Sequence, residues 1–193
     1  KESRNPPDYP VTVETIFSSD KPEDQTYIRP PKRIVAVWQN SVETLIALGV
    51  GDRIIAGMGI PDRKYVLPRY REAYDRIPYK SLQNLDLETI MMMDPDFILG
   101  WYSTFSTKVL RGTDFWHKRD VHTYIAQSSV PRPGKYHTLD EEYSYIRDLG
   151  KIVGKRQKAE ELVNSMQGEI DYAVVGTKGE KAPDVLILEI IGK

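Results

Sequence analysis

Trp38 and Trp101 hold equivalent places in this 193-residue sequence. Each closes a short apolar run, Ile34-Val-Ala-Val37 in one case and Phe97-Ile-Leu-Gly100 in the other. Gln39, Asn40 and Ser41 follow Trp38, and Tyr102, Ser103 and Thr104 follow Trp101. Two further apolar runs end near Met58 and Gln127. Flat aromatic area beside neutral hydrogen-bonding groups suits a bulky chelate or macrocycle. The rings supply apolar contact and the polar groups fix orientation. These ten residues are the candidate ligand-binding set. The competing reading has the two indoles merely closing the core. Ligand contact is favoured because aromatic residues on loops at strand ends are costly to leave exposed without use. Asn40 is read as a helix cap before it is read as a ligand contact.

Other chemistries find little support. There is no cysteine, so disulfides, thiolate metal sites and thiol nucleophiles are excluded. His117, His122 and His137 lack a His-x-x-x-His spacing, no metal site is assigned, and the first two read as surface residues. Met91, Met92 and Met93 are adjacent, so on a helix they point in different directions and do not form a metal-binding cluster. No Gly-rich phosphate loop follows the first run, where Trp38-Gln-Asn-Ser41 stands instead, and no Gly-x-Ser-x-Gly elbow occurs. The expectation is a binding protein without a cofactor, not an enzyme. A formal net charge of -1 disfavours nucleic acid as a partner. No apolar run reaches membrane-spanning length. The first residue is Lys1, which reads as a processed or trimmed start that leaves any signal peptide out of view.

The elements that must position these residues follow from periodicity. Residues 9–17 alternate like an exposed strand and are expected to pair with 26–29 across a polar loop. Residues 32–38, 53–58, 97–101 and 122–126 read as short strands, the first and third buried on both faces. Asn40 with Glu43 reads as a capping box opening a helix that leaves through Gly49. Residues 68–76, 86–93 and 108–118 read as helical. Thr138 with Glu141 reads as a second capping box, for a helix running to Val153 and broken by Gly154. Residues 155–175 carry Ala159, Leu162, Val163, Met166 and Ile170 at helical spacing. Strands alternating with helices specify an α/β fold, a Rossmann-like parallel sheet with helices on both faces. After a turn at 176–183, residues 184–191 read as a further apolar strand. It either pairs back with the first sheet or opens a second lobe. The second is preferred because a long helix precedes it, and an orphan strand of this kind is a swapping hazard.

Arg33-Ile-Val-Ala-Val37 with Asn40-Ser-Val-Glu-Thr-Leu-Ile-Ala-Leu-Gly-Val-Gly-Asp-Arg-Ile-Ile-Ala-Gly57 resembles the opening of class III solute-binding proteins. These are the siderophore, haem and cobalamin binding components of ABC importers. Asn84-Leu-Asp-Leu-Glu-Thr-Ile90 followed by Asp94-Pro-Asp-Phe-Ile-Leu-Gly-Trp101 resembles their second signature, and residues 140–154 the segment before their linking helix. The resemblance implies two lobes with the ligand between them. It implies an N-terminal extension with a β-hairpin at 1–32, an N-terminal α/β lobe at 33–154 and a linking helix at 155–177. Residues 183–193 become the first strand of a truncated second lobe. The implied ligand is a ferric siderophore or similar iron chelate. Haem, cobalamin, a free metal ion or an oxyanion remain open within the same fold, and a small α/β enzyme outside it. The implied partners are ABC permease subunits, met through a salt bridge from Glu88 to a permease arginine. The alternative for Glu88 is an exposed glutamate near a helix N-terminus. The implied location is the periplasm or the outer face of the cytoplasmic membrane, with a lipid anchor outside this chain as the membrane attachment.

Overall fold

A computed structural model describes residues 7–82 and 86–176. The alternating segment near the N-terminus forms β1 (Val11–Ile16), which pairs antiparallel with β2 (Pro22–Tyr27). Its alternate residues Val11, Val13 and Thr15 are buried and those between them face solvent, as a half-buried strand requires. The next strands form a separate five-stranded sheet. They are β3 (Ile34–Val37), β4 (Ile54–Met58), β5 (Tyr79–Ser81), β6 (Phe97–Gly100) and β7 (His122–Ile125). All neighbours pair in parallel, in the order β5-β4-β3-β6-β7.

Both faces of this sheet are covered, which is why β3 and β6 are apolar at every position. Ile34, Ala36, Phe97 and Leu99 pack toward one face, with Val42 and Leu45 of α1 (Gln39–Ala47) and Tyr74 of α2 (Arg71–Asp75). Ile146 and Leu149 of α5 (Leu139–Val153) and Ala159 and Val163 of α6 (Arg156–Gly176) join them. Val35, Val37 and Ile98 pack toward the other face, against Ile90 of α3 (Leu87–Met92) and Trp116 of α4 (Thr113–His117). Burying each such aliphatic side chain contributes about 1.5–3 kcal/mol.

The hairpin covers the outer edge of β7, and one buried side chain of it satisfies the edge backbone. The buried Gln25 amide donates to Thr123 O at 2.6 Å and accepts from Thr123 N at 3.2 Å. Those backbone groups of a free sheet edge are thereby satisfied without a further strand.

Three expectations are corrected, and one strand was not foreseen. The segment 108–118 is helical only over α4, because Arg111 adopts φ 67 and Gly112 takes the N-cap position in extended backbone. The Asn40–Glu43 capping box does not form: Trp38 occupies the N-cap position without a side-chain cap, and Asn40 lies within α1. His117 and His122 are both half-buried. His117 Nε2 meets Thr123 Oγ1 at 2.8 Å, and the His122 ring stacks on Tyr27 at 4.2 Å. Strand β5 was unanticipated; its three residues are too few to show a period and are held by pairing with β4. Of the Thr138–Glu141 capping box only the Thr138 half forms, accepting from Glu141 N at 3.3 Å, because the Glu141 carboxylate turns to Arg132 and His137; Gly154 ends α5 at φ 74. The turn expected at 176–183 and the strand at 184–191 lie outside the described residues.

Candidate functional site

The chain leaves β3 for β4 and β5 on one side, then returns to lay β6 and β7 on the other. The order therefore reverses between β3 and β6. In an open parallel sheet that reversal leaves a crevice beyond the carboxyl ends of the two strands, where ligands bind. Trp38 directly follows β3 and Trp101 directly follows β6. Their ring centroids are 5.5 Å apart with planes inclined at 38°. Trp101 is 39% exposed.

Trp38 is held in a backbone conformation that side chains rarely adopt, φ 77 and ψ 154, at a cost on the order of 1–3 kcal/mol. Its N–H donates to Met58 O at 2.7 Å. Gly59, at φ 78, leaves the space its indole occupies: a Cβ at residue 59 would lie 2.6 Å from Trp38 Cε3. The indole Nε1 is enclosed by protein and has no acceptor among the described residues. Trp101 is fixed differently. Its N–H donates to Thr104 Oγ1 at 3.0 Å, and Gly100 makes room for that threonine.

The two indoles border an open hollow of about 550 Å³. Its polar wall comes from the start of α1 and the start of α5. The Gln39 amide donates to Tyr65 O at 2.7 Å and to Glu43 Oε1 at 3.1 Å. Glu43 is buried and also accepts from Leu67 N at 2.9 Å. Asn40 accepts from Thr44 Oγ1 at 3.1 Å and lies beside the Glu142 carboxyl. Burial pushes the Glu142 carboxyl up, and the Asn40 amide partly offsets this. Glu141 is pushed up by burial too, but His137 and Arg132 outweigh that and hold it below the usual carboxylate range. His137 Nδ1 lies 2.9 Å from Glu141 Oε2, and the Arg132 guanidinium donates to Oε1.

Of the ten candidate residues, Trp38, Gln39, Asn40 and Trp101 line this hollow. The other six do not. Met58 and Ser41 are fully buried. Met58 belongs to the core against α3 and α4, and the Ser41 hydroxyl lies by that of Tyr145 without a well-formed hydrogen bond. Thr104 is buried and serves Trp101. Tyr102 turns to the hairpin, where its hydroxyl donates to Asp20 Oδ1 at 2.6 Å. Ser103 and Gln127 are exposed outside the hollow, although Ser128, next to Gln127, lines it. His137, Thr138, Leu139, Glu142 and Met166 also line it and were missed. A signal for four of these existed: a helix following a parallel strand starts at that strand's carboxyl edge, and Thr138 marks where α5 starts. Glu88 is exposed on α3, whose N-cap Asp86 accepts from Glu88 N at 3.0 Å. Met91 and Met92 are exposed beside it, while Met93 packs into the core. No helix among the described residues is long and apolar enough to cross a membrane.

A parallel sheet with its crevice at the reversal of strand order is an open α/β architecture that binds ligands beyond its strand ends. Residues 34–189 match the model of the periplasmic binding protein family, and the chain belongs to that family. A periplasmic binding protein of Veillonella parvula DSM 2008 is 52% identical, with a TM-score of 0.84 over 91% of this chain and 55% of that one. An ABC-type Fe3+-hydroxamate transport system structure from Saccharomonospora viridis DSM 43017 is 23% identical, with a TM-score of 0.68 over 85% and 55%. An uncharacterised ABC transporter substrate-binding lipoprotein of Bacillus subtilis (strain 168), YvrC, is 24% identical over 84% of this chain and 46% of its own length. The chain thus spans about half the length of the relatives it matches.

Proposed function

We propose that this chain supplies one lobe and the linking helix of an extracellular substrate-binding component of an ABC importer. The protein holds a ferric siderophore or similar iron chelate between two lobes and hands it to the permease. Binding, with no covalent step, is the whole of its chemistry. The observation that carries this reading is the Trp38–Trp101 pair, 5.5 Å apart at the strand-order reversal. Such a pair offers apolar area to a bulky ligand, while Gln39, Asn40 and Ser128 offer neutral polar contacts. Relatives agree in kind: the S. viridis structure is of an Fe3+-hydroxamate transport system, and the B. subtilis relative is a substrate-binding lipoprotein. A lipid anchor on the outer face of the membrane is the corresponding location.

Glu88, exposed on α3, is the proposed contact to a permease arginine, a rim charge that orients docking. The domain plan at 33–154, 155–177 and 183–193 belongs to the same proposal. The test is a thermal shift of the full-length protein against ferric siderophores, haem and cobalamin. A rise in Tm with a ferric siderophore supports the reading. A folded sample that shifts only with haem or cobalamin moves the ligand within the fold, and no shift with any of them removes the iron-chelate reading.

A further inference from the structure

The charges around the hollow point to a ligand class narrower than iron chelates at large, an inference that rests on the function proposed above. The described lining contains no lysine or arginine. Its ionisable members are Glu43, Glu142 and His137. The guanidinium beside it, Arg132, is already committed to Glu141, as is His137. Arg69 lines the adjoining groove between α1 and α6, not this hollow. Two helix N-termini open here, those of α1 and α5, and their partial positive charge alone would favour an anion. Carboxylates already stand near both. The first turn of α5 carries Asp140, Glu141 and Glu142. The first turn of α1 has no acidic residue of its own, but the Glu43 carboxylate one turn in accepts from Gln39 and Glu142 of α5 lies beside Asn40. An anionic ligand resting on the two indoles would meet carboxylates with no lysine or arginine in the described lining to answer its charge, whereas a neutral or cationic one would meet rings and uncharged amides.

We infer that this lobe selects a neutral or cationic ferric chelate and disfavours polyanionic ones, with Glu142 as the residue that enforces the choice. The test titrates full-length protein by tryptophan fluorescence with three probes: ferrioxamine B, which is cationic, ferrichrome, which is neutral, and ferric enterobactin, which is trianionic. Ferric enterobactin should bind about a hundredfold more weakly than the better of the other two. Glu142→Gln keeps the shape and a polar group beside Asn40 and removes the charge. It should improve ferric enterobactin binding about tenfold, a larger gain than any it gives ferrichrome. Ferric enterobactin binding as tightly as ferrichrome, or no gain from Glu142→Gln, overturns this inference and leaves the iron-chelate reading standing. A folded protein that binds none of the three overturns both.

Discussion

The benzene ring of Trp38 fills the space that a side chain at Gly59 would need. A Cβ at residue 59 would lie 2.6 Å from Cε3 and 3.0 Å from Cζ3, and the glycine sits at φ 78 besides. Gly59→Ala therefore meets a backbone penalty and a collision together. It should destabilise the fold by about 1–4 kcal/mol in urea denaturation and shift the tryptophan emission as Trp38 is displaced. An unchanged midpoint and spectrum would show that the two residues do not touch.

The two indoles should separate in their effects. Trp101 is 39% exposed, and its backbone is held by Thr104 whatever its side chain. Trp101→Ala should cost less than about 1 kcal/mol of stability yet weaken chelate binding about tenfold or more. Trp38 packs into the core at the ends of β3 and β4, so Trp38→Ala should lower both stability and affinity. Calorimetric titration beside denaturation of each variant reads the split.

Gln25 should be the residue that keeps the hairpin on the sheet. Its amide is buried and satisfies both backbone groups of Thr123. Gln25→Ala leaves them unpaired, at a cost of about 1–3 kcal/mol. Hydrogen exchange should show loss of protection at Thr123 and along β1 and β2, while β3 and β6 stay protected.

How much of this was readable beforehand depended on how local each cause is. Burial on both faces forces an unbroken apolar run, so β3 and β6 could be read directly, and with them the two tryptophans at their ends. Thr138 and Gly154 also act through their own helix, and both kept their expected roles. Asn40 did not. The same side-chain chemistry that suits a cap lets it accept from Thr44 inside α1 and sit beside Glu142 once α5 packs alongside, and Glu142 is a hundred residues away. Tyr102 likewise looked like a ligand contact because its partner, Asp20, comes from the hairpin. Met58 looked available from its place at a strand end, but the helices over that face bury it. Contacts between elements distant in sequence decided each of these.

Asp148 should make stability depend on pH in a predictable direction. Burial raises its carboxyl above the usual aspartate range, with Tyr124 and Lys151 opposing and Glu14 assisting. Its side chain accepts from the Tyr124 hydroxyl at 2.8 Å. A raised folded value means the folded state holds the proton more tightly. That contribution is full below the ordinary value of about 3.9 and is lost as pH rises through the raised one. Asp148→Asn removes the titration and keeps an acceptor for Tyr124. Melting of both proteins across the acid range should show the variant gaining on the wild type as pH increases. A constant difference would mean that Asp148 titrates alike in the folded and unfolded chains.

The placement of the ligand is tested most directly by a crystal structure of the full-length protein with ferrichrome bound. The account predicts the chelate in van der Waals contact with the Trp101 ring, beside Trp38 and facing Gln39 and Asn40. A chelate lodged elsewhere, in the groove between α1 and α6 or at the amino ends of the strands, would contradict it.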